Sequence, residues 1–205
     1  MGSRGQGLRW AVPILIGLIL SVRWWGRLFF PLPYFDLVSA HARRHSLDPL
    51  LVEALIREES SFDPHAVSKR GALGLMQIMP ETGLWIASQL GEELTPARLL
   101  APEENIRYGV WYLATLFERF AGDAVKTLAA YNAGYNRVEE WLARGIWDGT
   151  LADLGRLPFL ETRSYVMKIM RSYRIYRFLY GRASPRRFSI PPLPREGAVP
   201  PISGL

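Results

Sequence analysis

Apolar positions along this chain recur mostly in steps of three and four, the period of helices that bury one face. Phe35 to His45 predicts a helix with Leu37, Val38 and Ala42 on one side. Asp48-Pro49 starts a second helix. Asp48 is a side chain that caps free N–H groups, and proline suits the first helical position because its missing N–H is not needed there. Val52, Leu55, Ile56 and Glu59 follow at i, i+3, i+4 and i+7, so Glu59 continues an apolar stripe. Glu58 aligns instead with Leu51, Ala54 and Leu55, and spacing alone prefers Glu59 only slightly. Asp63-Pro64 stops this helix. Pro80 opens another, Glu81 to Leu90, ended by Gly91. Thr95-Pro96 and Ala101-Pro102 mark two further starts, the second leading a long pattern from Asn105 and Ile106 to Phe120. Asp123 caps a helix through Leu128 and Tyr131. Val138 to Ala143 gives a short helix, and a last one opens at Pro158 and runs to about Tyr180. Leu75 to Met79 is apolar except for Gln77 and predicts helical core. No stretch alternates as strands do, so the expected fold class is all-α.

The two ends differ from this middle. Trp10 to Val22 is uncharged and apolar, followed by Arg23-Trp24-Trp25-Gly26-Arg27. The run is shorter than the roughly 20 residues of a spanning helix, and no small-residue cleavage site follows it. Tryptophans beside arginine resemble interfacial anchors, which favours an uncleaved signal anchor over a cleaved signal peptide or a buried helix. From Arg182 the chain carries six prolines among Arg, Gly and Ser, and reads as a disordered basic tail. The expected organisation is an anchor and linker over 1–34, one helical domain over 35–182 and the tail over 183–205.

Charge sharpens that division. The net +6 splits into +5 over residues 1–47, −7 over 48–155 and +8 over 156–205. A nucleic-acid binder places its basic surface on its folded core, whereas here the core is acidic and the ends are basic. A membrane or an anionic cell wall is the simpler partner, and no nucleic acid is expected. The chain has no cysteine, which excludes disulfides, thiolate metal sites and cysteine nucleophiles. His41 and His45 stand at i, i+4, but no acid accompanies them as in HExxH, so they read as a solvated face and no metal site is expected.

Candidate chemistry concentrates in Ile56 to Thr82, IREESSFDPHAVSKRGALGLMQIMPET. A carboxylate near the C-terminus of a helix, in apolar surroundings, resists ionisation, which suits a general acid. Ser68 to Ala72 reads as a turn, and Gly71 and Gly74 permit positive φ or close backbone approach.

Four blocks in order resemble the lytic transglycosylases of the SLT family, relatives of goose-type lysozyme. Arg57-Glu58-Glu59-Ser60 with Phe62 and Pro64 is similar to the block holding the family's catalytic glutamate before a serine, which points to Glu59. Gly71 to Pro80 resembles the block whose Met and Gln line a saccharide cleft. Tyr131-Asn132-Ala133-Gly134 and Glu161-Thr162 with Tyr165-Val166 resemble the third and fourth. The resemblance implies a single lysozyme-like domain with Glu59 as the catalytic residue. It further implies substrate-binding positions at Ser60, Ser68, Gly74, Met76, Gln77, Tyr131, Asn132, Glu161 and Tyr165.

The implied reaction is non-hydrolytic cleavage of the bond between N-acetylmuramic acid (MurNAc) and N-acetylglucosamine (GlcNAc) in peptidoglycan. One glutamate serves as acid and then base, with no cofactor. A hydrolytic muramidase on the same fold, or a non-catalytic glycan-binding protein of the cell envelope, remain as alternatives. The expected partners are glycan strands and, through the N-terminal segment, a membrane. The expected location is the outer face of the cytoplasmic membrane, or outside the cell if the segment is cleaved; protein partners in the envelope are left unspecified.

Overall fold

Helix starts follow the local caps. In a computed structural model that describes residues 24–181, with Pro13, Gly17 and Ser21, the helices are α1 (Phe35–Arg44), α2 (Pro49–Ser60), α3 (Pro80–Leu90), α4 (Pro102–Arg119), α5 (Ala124–Ala133), α6 (Tyr135–Ala143) and α7 (Leu160–Tyr180). Residues 24–29 are helical as well. Asp48 accepts from the Leu50 N–H at 3.0 Å, and Asp123 from Val125 and Lys126. Each such cap contributes about 1 kcal/mol. The Thr95-Pro96 start opens a short 3-10 helix, Pro96–Leu100, and a second 3-10 turn spans Leu154–Arg156. Gly91 closes α3 at φ 69°, a left-handed conformation that glycine adopts without strain.

α2 is the central rod. Pro49 through Ile56 are all buried, and the helix packs along α7 on one side and α1 on the other. α7 also covers α5, while α4 joins α1, α3 and α5. Leu50, Leu55, Ile56, Leu113, Leu128 and Ile169 have no exposed surface, and each such side chain contributes about 1.5–3 kcal/mol of burial. Glu53 breaks this pattern. It is fully buried, and neither carboxyl oxygen has a hydrogen-bond partner among the described residues.

Three expectations are corrected. Leu75 to Met79 is not helical: Leu73 pairs with Val67 and with Ile78 in isolated antiparallel bridges, and Gln77 turns the chain at φ 49°. Leu75 and Ile78 are nonetheless core. His41 is not on a solvated face. It is 4% exposed, with its Nε2 2.8 Å from Glu103 on α4, a partner that α1's own sequence does not reveal. Pro31 to Pro33 is not a free linker, because Phe30, Leu32 and Tyr34 pack against the core. The expected anchor over Trp10 to Val22 and the tail over 183–205 lie outside the described residues, apart from Pro13, Gly17 and Ser21. Among the described residues no helix is long and apolar enough to cross a membrane.

Candidate active site

Glu59 sits in the last turn of α2. The helix ends one residue later, and Ser61 and Phe62 reverse the chain at φ 52° and 68°. This directs the following loop, residues 63–79, back across the end of α2. α7 runs along the other side, so the acid lies in a cleft of about 450 Å³ between helix and loop. Glu58, Glu59, Glu161, Ser164, Tyr165 and Lys168 line it from the helices. Ser68, Lys69, Arg70, Ala72 and Gln77 line it from the loop, with Asn132 from the end of α5.

The loop is held by buried bonds. The Ser68 hydroxyl accepts from the Ala72 N–H at 2.9 Å. The Gln77 amide donates to the carbonyls of Gly74 (2.8 Å) and Ala66 (3.2 Å). Asn105, fully buried at the start of α4, donates to the Leu73 and Leu99 carbonyls and accepts from the Met76 N–H at 2.7 Å. The Tyr131 hydroxyl donates to the Met76 carbonyl at 2.9 Å. At Gly74, with φ 74°, an added Cβ would run into the Asn105 side chain and the Leu99 carbonyl, so the absence of a side chain is what lets the loop close.

Two adjacent glutamates meet different surroundings. The Ser172 hydroxyl donates to Glu58 at 2.7 Å. Glu59 accepts from the Tyr165 hydroxyl at 2.6 Å, and its carboxyl group is enclosed by protein although the residue keeps access to the cleft. Burial pushes the Glu59 pKa up to about 8. The Tyr165 bond opposes the rise, while the negative charges of Glu161 and Glu58 add to it. A carboxyl in this state carries a proton near neutral pH and can deliver it to a group bound in the cleft. A second concavity of about 490 Å³, between α3 and the Pro96 turn, offers the opposite chemistry. Its Glu92 is bonded to Arg107, which holds the carboxyl below its usual range.

Of the positions expected from sequence, Ser68, Gln77, Asn132, Glu161 and Tyr165 share the cleft with Glu59. Ser60, Gly74, Met76 and Tyr131 lie behind its wall. Ser60 donates to the Leu75 carbonyl at 2.9 Å. Met76, expected to pack on a sugar, has no exposed surface and fills the space left by the missing side chain of Gly109. Tyr131 is fully buried beneath the loop, and the Glu59 charge reaches it, helping to raise its pKa well above the usual value after burial itself. Lys69, Arg70, Ser164 and Lys168 were not anticipated. Only their closeness to expected positions in sequence hinted at them. Asn105 had a signal, a polar residue opening an otherwise apolar helical stripe. Among the described residues no three His, Cys, Asp or Glu side chains gather as metal ligands.

The arrangement has relatives. A family model described as the Transglycosylase SLT domain matches residues 36–150. The soluble lytic murein transglycosylase of Salmonella typhimurium is 35% identical over 156 residues, covering 75% of this chain and 24% of that protein. Membrane-bound lytic murein transglycosylase C of Edwardsiella ictaluri is 31% identical, covering 70% of this chain and 46% of that one. Among solved structures, the 70 kDa soluble lytic transglycosylase of Escherichia coli matches with a TM-score of 0.72 at 33% identity, over 76% of this chain and 26% of that one. The Slt transglycosylase of Pseudomonas aeruginosa, solved as an inactive mutant, matches with a TM-score of 0.68 at 33% identity, over 74% and 25%. The chain thus spans about a quarter of the length of the soluble relatives it matches. Because the family match begins in α1 and takes in the acid, the loop facing it and the end of α5, the chain belongs to the transglycosylase SLT family.

Proposed function

We propose that this chain cleaves the MurNAc–GlcNAc β-1,4 bond of peptidoglycan without water, leaving 1,6-anhydroMurNAc ends. One observation carries the reading: a single enclosed carboxyl with its pKa pushed up to about 8, opening on a cleft. Glycosidases commonly use two carboxylates, one of them a base or nucleophile. Of the glutamates lining the cleft, Glu59 is the one whose pKa burial pushes up to about 8, which supports its serving as acid and then base.

Glu59 Oε1 accepts from Tyr165, so the proton of the neutral acid resides on Oε2. It passes to the glycosidic oxygen as that bond breaks and the GlcNAc hydroxyl leaves. The carbonyl oxygen of the MurNAc N-acetyl group bonds to C1 and offsets the positive charge there. Glu59, now ionised and stabilised by Tyr165, takes the proton of the MurNAc 6-hydroxyl. O6 displaces the acetamido oxygen at C1 and closes the anhydro ring, and Glu59 is protonated again. Gln77, Asn132, Ser68 and Glu161 are placed to orient the sugars. Ser60, Gly74, Met76 and Tyr131 act on the loop from behind. The catalytic domain belongs in the cell envelope, held at the membrane by the N-terminal segment and facing the wall.

Glu59→Gln removes the transferable proton while keeping the shape. Release of soluble fragments from purified peptidoglycan is expected to fall about 1000-fold, with unchanged circular dichroism, because the proton donor is lost. Glu58→Gln is expected to cost less than about tenfold. Near-parental activity of a folded Glu59→Gln protein would remove the assignment.

A further inference from the structure

Residues 26–31 do not hang from the domain as a tether would. Three successive main-chain carbonyls are each gripped by a side chain of the bundle. Phe29 O accepts from Arg57 at 2.9 Å, Phe30 O from the Tyr180 hydroxyl at 2.8 Å and Pro31 O from the Tyr176 hydroxyl at 3.0 Å. Arg27 donates to the Leu179 carbonyl at 3.2 Å and lies over the Tyr180 ring. A Cβ at Gly26 would stand 2.7 Å from Leu179 Cδ2, so this backbone already touches α7. The Phe30 ring is held between Arg57 and the edge of Tyr176. Arg57 is two residues from Glu59 on α2, so one helix carries both the acid and a grip on residues 26–31, which form a strap across the end of the bundle.

The outward side of this docked segment has another character. Trp24, Trp25, Leu28 and Phe29 are 63%, 55%, 61% and 71% exposed, and Phe178 on the last turns of α7 is 58% exposed. Arg174 and Arg177, also exposed, flank Phe178. In sequence, the uncharged run Trp10 to Val22 leads through Arg23 into Trp24, and Arg182, Arg186 and Arg187 follow α7. Large exposed aromatics interleaved with arginine are the composition of a surface that sits at a lipid interface, and the cations match anionic headgroups.

We propose that this end of the domain is a bilayer-docking face. Trp24, Trp25, Leu28, Phe29 and Phe178 enter the interface of an anionic bilayer, while Arg27, Arg174 and Arg177 meet headgroup phosphates. The inference rests on the reading that the chain is held at a membrane, and goes beyond it: the domain lies on the surface at a fixed height rather than swinging from it. α7 sets that height. Tyr165, bonded to Glu59, precedes Phe178 by thirteen residues on one continuous helix. At 1.5 Å per residue, Tyr165 lies about 20 Å along α7 from Phe178, which bounds how far above the interface the bond to be cut can lie. A fixed height selects glycan strands close to the membrane.

The absence of cysteine makes the test direct. The full chain carrying Phe178→Cys, labelled with an environment-sensitive fluorophore, is mixed with vesicles of phosphatidylethanolamine and phosphatidylglycerol. Glu93→Cys, on an exposed turn after α3, is the control. The label at 178 is expected to shift to the blue, to brighten severalfold and to be quenched by brominated lipid, while the label at 93 still reports water. If the chain floats with the vesicles but the label at 178 reports water, the membrane reading survives and the docking face does not. If the chain does not float, both fail. A label at 178 that is shielded and self-quenched before lipid is added means that a second copy covers this face, which also overturns the proposal.

Discussion

At the scale of the residue, everything turns on how one carboxyl differs from its neighbour. Helical spacing preferred Glu59 to Glu58 only slightly, because both lie near the end of the same helix. Their partners separate them, and those partners, Tyr165 and Ser172, are more than a hundred positions away. The Tyr165 bond pulls the Glu59 pKa down against the larger effect of burial. Tyr165→Phe is therefore expected to raise that pKa further. The alkaline limb of activity, expected in the parent as pH rises through about 8, would move to higher pH. The maximal rate would drop about 10- to 100-fold, because the ionised Glu59 of the second step loses its donor. A pH–rate profile of fragment release checks both; an alkaline limb moving to lower pH would contradict the assigned role.

At the scale of the element, helices were legible and the loop was not. Asp48-Pro49, Asp123 and Pro80 carry their signals within three residues of the ends they set. The 66–79 loop is shaped by Asn105 and Tyr131, which belong to other helices, so its apolar run read as helix. The same holds for His41, whose partner is on α4. The burial of Met76 was not legible for a related reason: the space it fills is made by Gly109, thirty-three positions on. Asn105→Ala would take the side-chain partner from the buried Met76 N–H and from the Leu99 carbonyl, and leave the Leu73 carbonyl only its bond from the Ile78 N–H. It is expected to cost about 2–4 kcal/mol of stability and to lower activity through a loosened loop. Chemical denaturation with parallel assays measures this. A loss below about 0.5 kcal/mol would show that the loop holds itself.

At the scale of the whole molecule, α2 joins core, strap and cleft in one rod, and Glu53 on it adds a pH dependence unrelated to catalysis. Burial pushes the Glu53 pKa from 4.5 up to about 8. Between those values the folded chain holds a proton that the unfolded chain releases, so stability falls as pH rises, by about 1.4 kcal/mol per pH unit from this group. Below 4.5 both states are protonated and the penalty vanishes. Glu53→Met is accordingly expected to be more stable than the parent at pH 8, by on the order of 4 kcal/mol, with the gap shrinking toward pH 5. A gap that does not change with pH would contradict the buried neutral acid.

The most direct test of the reaction is the mass of what is released. Peptidoglycan is digested by the full chain and the soluble muropeptides are weighed, with Glu59→Gln as control. Fragments ending in 1,6-anhydroMurNAc, absent from the control, are the predicted result. Ends one water heavier would mean that water, not the 6-hydroxyl, attacks C1, and would contradict the non-hydrolytic mechanism.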